Sequence, residues 1–319
     1  MKIKQIIAVA LCAICTATVA QTFPDKSRPL RIVVPFGAGS GNDLIARAYA
    51  RAISETTGVP AVVENKPGAE AVIGVEAVRN ATPDGYTILF GNSSTHVLNS
   101  LMLQKIPYDA IADFIPICGV ASAALVMNAG PSTKFRNVKN LLEAARANPG
   151  KFTYGSATTS TRLAMEIFEQ RAQVKLLSVP YKAMAQATAA LASGEIDILV
   201  NDVSTVAPYY QSGRLRPLGA TGTSRLIALP DVPTIRDQGV PQYEFTAWSA
   251  MFVPAKTPTA IAEKLGAIFH QAQQSKYVTE ILHANSQDPL VMNSAQLASM
   301  NRAEIERWTK IFADLKIQR

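Results

Sequence analysis

Five small residues in a row, Gly37, Ala38, Gly39, Ser40 and Gly41, separate an apolar run from an apolar helical stretch. The run 30–36 (LRIVVPF), ending at Phe36, has the composition of a buried strand. Asn42 and Asp43 are residue types that open helices. A small-residue loop entering a helix aims unpaired backbone N–H groups, and the positive end of the helix dipole, into one space. The chemistry of that arrangement is the capture of an anion. Asp43 is expected to cap its helix or tie the loop, because a carboxylate facing an anion would repel it. A second polar junction, Gly91, Asn92, Ser93, Ser94, Thr95 and His96, follows the strand-like run 86–90. Its hydroxyls can donate to a carboxylate or cap the next helix. His96 sits in that helix's first turn, where the dipole disfavours a protonated imidazole.

Catalytic constellations are missing. There is no G-x-S-x-G elbow, no HExxH and no Cys/His cluster, and the other histidines, His270 and His283, lie in the helical tail without metal-ligand spacing. No metal and no cofactor is expected. Gly37, Gly39 and Gly41 with Glu64 give a remote likeness to a dinucleotide site, but the third glycine comes one residue early and Pro35 stiffens the entrance.

The elements around these junctions alternate between strand-like and helix-like, which argues for parallel sheets with crossover helices. In the first unit Leu44, Ile45, Ala48, Ala52 and Ile53 recur at a helical period. The next helix spans 71–80, and 114–128 reads as a long strand pair that carries the chain into a second lobe. There the expected order is helix 138–147, strand 151–154, Gly/Ser/Thr loop 155–161 and helix 162–171. Strand 176–181, helix 184–192 and strand 196–200 follow, and Asn201 and Asp202 open another helix. A strand at 215–220 returns to the first lobe. The remainder reads as loops, then helices at 259–274 and 294–315.

Residues 1–20 carry Lys2 and Lys4, an apolar run at 6–20 and the small residues Thr18 and Ala20 before Gln21, the pattern of a cleaved secretory leader. That run is short of the ~20 residues that span a bilayer comfortably. Leu11 and Ile14 precede Cys12 and Cys15, which argues against a lipid anchor. A soluble protein in the periplasm, starting near Gln21, is expected. Beyond the leader only Cys118 remains of the three cysteines, so a core must hold the fold without an internal disulfide. Cys118 lies in an apolar segment and is expected to be buried. With 319 residues, 48% of them hydrophobic, the chain can build two domains. The net charge of +7 comes from scattered basic residues without blocks or interleaved aromatics, which argues against nucleic-acid binding.

Several stretches resemble one family nearly end to end. They are LRIVVPFGAGSGNDLIAR (30–47), VVENKPGAEAVIG (62–74), TPDGYTILFG (82–91), IPYDAIADFIPI (106–117), YGS (154–156), VPYKAMAQA (179–187), GEIDILVND (194–202), SGRLRPLGATG (212–222) and LPDVPTIRDQG (229–239). In order and spacing the chain is similar to the Bug-type periplasmic solute-binding proteins, the receptor components of tripartite tricarboxylate transporters. The resemblance implies an α/β, type II periplasmic binding protein fold: two Venus-flytrap lobes joined by two crossings, with lobe 1 at 21–124 and 221–319 and lobe 2 at 125–220. It implies no enzyme but a receptor that clamps a small carboxylate between the lobes and delivers it to membrane subunits; a monomer is expected. A ligand-sensing receptor is the alternative.

By the same resemblance, the first lobe supplies contacts from residues 36–43 and 92–96. The second supplies Ser156, Ala157, Thr158 and Thr159, then Tyr181, Lys182 and Ala183, and Asp202. Backbone amides are the better candidates around Lys182, and Asp202 either caps its helix or receives an amino group. Two departures stand out. Gly37 and Ala38 occupy positions where the family usually has prolines. The loop after YGS is about two residues short, and Arg162 and Leu163 stand where a His-Leu pair is usual. Arg162 is therefore a candidate fork for a ligand carboxylate. Segments near 121–128 and 218–222 are the expected hinges.

Overall fold

The computed structural model describes residues 23–315, so the leader expected at 1–20 lies outside the described residues. Strand β1 (Leu30–Val34) leads through the small-residue loop into α1 (Gly41–Thr57), which returns to β2 (Ala61–Asn65) beside β1. Helix α1 starts at Ser40, whose hydroxyl accepts from the Asp43 amide, and stops at Gly58 in the left-handed conformation. Its buried face carries Ile45, Ala46, Tyr49, Ala50, Ala52 and Ile53. Helix α2 (Val72–Arg79), strand β3 (Thr87–Asn92), a π-helical turn (Ser94–Leu98) and the short α3 (Asn99–Met102) follow. Strands β4 (Phe114–Ala124) and β5 (Val126–Ala129) then run on from one sheet to the other, separated only by Leu125.

The second sheet is built from α4 (Val138–Ala147), β6 (Thr153–Ser156), α5 (Thr159–Ala172), β7 (Leu177–Pro180), α6 (Met184–Ser193), β8 (Ile198–Asn201), α7 (Val203–Gln211) and β9 (Arg216–Ala220). Its strand order is β7-β6-β8-β5-β9, parallel through β7, β6 and β8 and antiparallel where β5 joins. The chain then returns through β10 (Thr246–Pro254), α8 (Thr259–Gln273), α9 (Lys276–Ala284), β11 (Gln287–Pro289) and α10 (Ser294–Leu315). The first sheet has the order β11-β4-β10-β3-β1-β2.

Besides the short β11, which the sequence reading does not contain, three elements differ from the sequence expectation. Strand β10 lies in a stretch expected to be loop, yet it sits inside the first sheet between β3 and β4. It is buried from Trp248 to Pro254, so it lacks the alternation that marks a half-exposed strand. Helix α9 was not anticipated. The Ser/Thr-rich stretch 155–161 is not a long loop: β6 runs to Ser156, and α5 begins at Thr159 behind a capping box made by Thr158 and Thr161.

The two crossings are bonded to each other. The Leu125 amide donates to Thr221 Oγ1 at 2.7 Å, and the Thr221 amide donates to the Leu125 carbonyl at 2.9 Å. Thr221 also holds Phe245 through its hydroxyl and carbonyl, at 2.9 and 2.8 Å. One apolar core runs through both sheets at this seam, from Leu89 and Ala250 to Phe168 and Ile198, with Trp308 of α10 packed into it. Cys118 is buried in β4, and burial pushes its thiol up to about 12.

Candidate functional site

Between the sheets lies a cleft of about 400 Å³ bordered by the starts of five helical segments. From the first lobe come the loop Phe36, Gly37, Ala38, Gly39, Ser40 and Asn42 at the start of α1, and Asn92 and Ser94 at the start of the π-helical turn. From the second lobe come Ala157 and Thr158 before α5, Lys182 and Ala183 before α6, and Asp202 before α7. Helices α6 and α7 have no side-chain cap, whereas in the π-helical turn the Thr95 amide donates to Asn92 Oδ1 at 3.2 Å. The leading amides of α6 and α7 therefore have no side chain on them and are left to hold oxygen atoms, and the helix dipoles add a positive field. Parallel βα units place these starts together, because ligands gather at the carboxyl ends of such strands.

Eight of the expected site residues stay out of the cleft wall. Asp43 is 1% exposed and binds the loop from behind, accepting from the Gly39 amide, Arg47 Nε and Asn65 Nδ2 at 2.9, 3.0 and 2.9 Å. Burial alone would raise its carboxyl, but the bonds from Arg47, Gly39 and Asn65 outweigh that and hold it below the usual range. Ser93 is buried, with its hydroxyl accepting from the Trp248 amide. Thr95 Oγ1 accepts from the Asn92 amide at 2.9 Å. His96 is stacked on Phe252 with ring centroids 3.6 Å apart, and burial drives its imidazole down to about 3, so it is neutral.

In the second lobe, Ser156 is a buried residue of β6. Thr159 turns its hydroxyl to Asn99 Oδ1 at 2.8 Å, and Tyr181 turns its own outward to Glu195 at 3.1 Å. Arg162 lies in the first turn of α5, its Nε 3.5 Å from Glu166, and does not line the cleft.

Residues without a sequence expectation take the vacated places. Glu70, Trp248, Ser204 and Ser160 line the cleft, and the polar atoms Glu70 Oε2, Trp248 Nε1 and Ser204 Oγ are buried without a partner among the described residues. Trp248 is one of only two tryptophans in the chain, a signal available in the sequence; Glu70 sits in what reads as a plain turn after Pro67 and Gly68. Asp202 presses across the lobes onto the start of α1, so that a Cβ added at Gly41 would meet its Cγ at 3.0 Å.

The lobes also meet directly. Ser94 Oγ and Ser160 Oγ are 2.7 Å apart, and the Ser160 amide donates to Ser94 Oγ at 3.1 Å. Ser94→Ala is expected to strand both Ser160 groups and cost about 1–2 kcal/mol, read as a lower urea midpoint at unchanged slope. A midpoint equal to the parent's would show that this bond does not stabilise the meeting of the lobes.

Two α/β lobes, two bonded crossings and helix starts converging on one cleft define a two-lobed solute-binding protein. The chain belongs to the tripartite tricarboxylate transporter receptor family, TctC, whose model matches residues 45–317. It is 35% identical over 97% of its length to a UPF0065 protein from the tcbD-tcbE intergenic region of Pseudomonas sp. strain P51, covering 93% of that protein. Among solved structures it is similar to the periplasmic binding protein BugD (27% identity, TM-score 0.86, covering 91% of this chain and 98% of that one). It is also similar to R. palustris Rpa4515 with adipate (29% identity, TM-score 0.87, covering 92% and 98%). Family and fold are those of solute-binding receptors. Among the described residues no helix is long and apolar enough to cross a membrane.

Proposed function

We propose that the protein is an extracytoplasmic receptor that captures a small carboxylate in the interlobe cleft and delivers it to the membrane subunits of a tripartite tricarboxylate transporter. The observation that supports this most is the convergence of five helical starts, two of them (α6 and α7) without side-chain caps, on one cleft. Dehydrating a carboxylate is costly, and fixed amides aimed at its oxygens replace the lost water. The relative seen with adipate makes the same ligand class reasonable for this chain.

Residues 21–124 and 221–319 act as one lobe and 125–220 as the other, with the Leu125 and Thr221 crossings as hinges. The carboxylate docks first on the loop 37–42 and on Asn92 and Ser94. Ala157, Thr158 and Ala183 then close over it. Closure follows only if the ligand binds the closed form more tightly than the open one. No bond is made or broken, and the protein works as a monomer.

Thermal melting of protein stripped of carried-over ligand, against mono-, di- and tricarboxylates with NAD as control, tests the reading. A ligand at about 100 times its Kd adds roughly 2.7 kcal/mol, a rise of about 4–5 °C for a chain of this size. A selective rise with one acid is expected. A rise with NAD alone would sink the receptor reading and favour a dinucleotide enzyme.

A further inference from the structure

Three consecutive residues, none of them glycine, hold left-handed backbone at the edge of the cleft: Ala69, Glu70 and Ala71, with φ of 48°, 54° and 73°. L-residues resist this region because Cβ crowds the following carbonyl, so a run of three is costly and must be held in place. Here Asn99 Nδ2 donates to the Glu70 carbonyl at 2.9 Å, and the Val72 amide to the Ala69 carbonyl at 3.0 Å. The run delivers the Glu70 side chain to the wall of an anion-binding cleft, where its Oε2 is occluded from solvent and has no partner among the described residues.

The cation that acts on Glu70 does not resolve this. Arg162, on the opposite lobe, attracts Glu70 but also faces Glu166, and the guanidinium Nε and Glu166 Oε2 are themselves buried without hydrogen-bond partners. Two carboxylates thus share one cation, and the wall shows the cleft an acid and not a guanidinium. Burial raises the Glu70 carboxyl while Arg162 opposes the rise, so a cationic partner in the cleft would favour the ionised form. A second acid, Asp202, lines the same cleft from the other lobe. Elsewhere on the wall, Trp248 is 6% exposed with its Nε1–H lacking an acceptor, a donor that suits a ligand oxygen.

We propose that the ligand is an amino-carboxylate, its carboxylate held by the helix starts and Trp248 Nε1–H and its protonated amine by Glu70 Oε2. This rests on the receptor reading above and names the substrate class of the same cleft. A second carboxylate placed at Glu70 would meet like charge in a desolvated setting, whereas an ammonium supplies the missing donor and neutralises the excess acid. The excess of acid over base at this wall, Glu70 and Asp202 against Lys182, also sets the chain apart in expected preference from a relative that holds a diacid.

The test is calorimetric titration of ligand-stripped protein at neutral pH with matched series of diacids, ω-amino acids and monoacids of the same carbon number, and with the proteinogenic amino acids. An amino acid is expected to bind at least about tenfold tighter than its matched diacid and monoacid, the gain of a charge-assisted hydrogen bond. Glu70→Gln should erase that advantage. Glu70→Gly should erase it too while raising the ligand-free melting temperature, because glycine relieves the left-handed backbone. It carries the comparison if the amide variant folds poorly. A diacid that outranks every amino acid, or an amino-acid preference that survives in both variants, overturns the proposal and leaves the receptor reading standing. Failure of every acid to bind overturns both.

Discussion

Replacing Trp308 with alanine is expected to lower stability by about 3–5 kcal/mol, the usual cost of deleting a large buried aromatic side chain. Trp308 is 2% exposed, tilts against Phe245 at 5.8 Å between ring centroids, and donates its Nε1–H to Glu304 at 2.9 Å. Phe245 is bonded to Thr221, and Thr221 to Leu125, so the cavity would open beside the two crossings. Neighbours tied to both crossings cannot collapse freely into the space, which places the cost toward the upper part of that range. Trp308→Phe keeps most of the contact and should lose far less. Urea unfolding monitored by far-UV circular dichroism reads both variants. A loss under about 1 kcal/mol for the alanine variant would mean that α10 merely covers the core instead of completing it.

Asp202→Asn is expected to stabilise the ligand-free protein in a pH-dependent way. Burial pushes the Asp202 carboxyl up to about 6, against the small opposing effect of its own backbone N–H. The folded state therefore holds this proton more tightly than the unfolded chain, whose carboxyl titrates near 4. Between about pH 4 and pH 6 the folded state binds more protons, so the stability contributed by this group falls as pH rises. By pH 7 the ionised carboxylate costs roughly 3 kcal/mol relative to its protonated form. Asparagine keeps the shape beside Gly41 and Gln287 but cannot ionise. The stability gap between variant and parent should be near zero below pH 4 and approach that value by pH 7. A gap that does not change with pH would show that Asp202 is not desolvated in the folded protein.

Much of the architecture is legible in the sequence because the βα units carry their own punctuation. Gly58 and Gly194 end helices in the left-handed conformation, and Ser40 and Asn137 begin them. Strand β10 escapes because its neighbours, not its pattern, make it a strand: buried from Trp248 to Pro254, it shows no period of two. The start of α5 escapes for a different reason. Ser and Thr favour loops when counted as composition, but Thr158 and Thr161 bond each other's backbone and so build a helix start.

The cleft divides in the same way. Loop residues at helix starts, such as Ser40, Ser94, Thr158 and Ala183, line it because strand ends in parallel sheets must converge. Side-chain directions are not local properties. Arg162 follows the expected loop within a few residues, yet α5 turns it toward Glu166. His96 shares a segment with Ser94 but goes into the core against Phe252. Glu70 reaches the wall only through backbone angles that no pattern of residue types announces.

Burial of Cys118 makes the protein a convenient optical reporter. Buried in β4 with its thiol pushed up to about 12, Cys118 is expected to resist maleimide dyes at neutral pH, and it is the lone cysteine among the described residues. Surface cysteines placed one on each lobe can therefore carry a donor and an acceptor fluorophore without first removing the native thiol. If the lobes close on ligand as proposed, energy transfer between them would convert that approach into a colour change, which would let unknown solutes be screened by light alone.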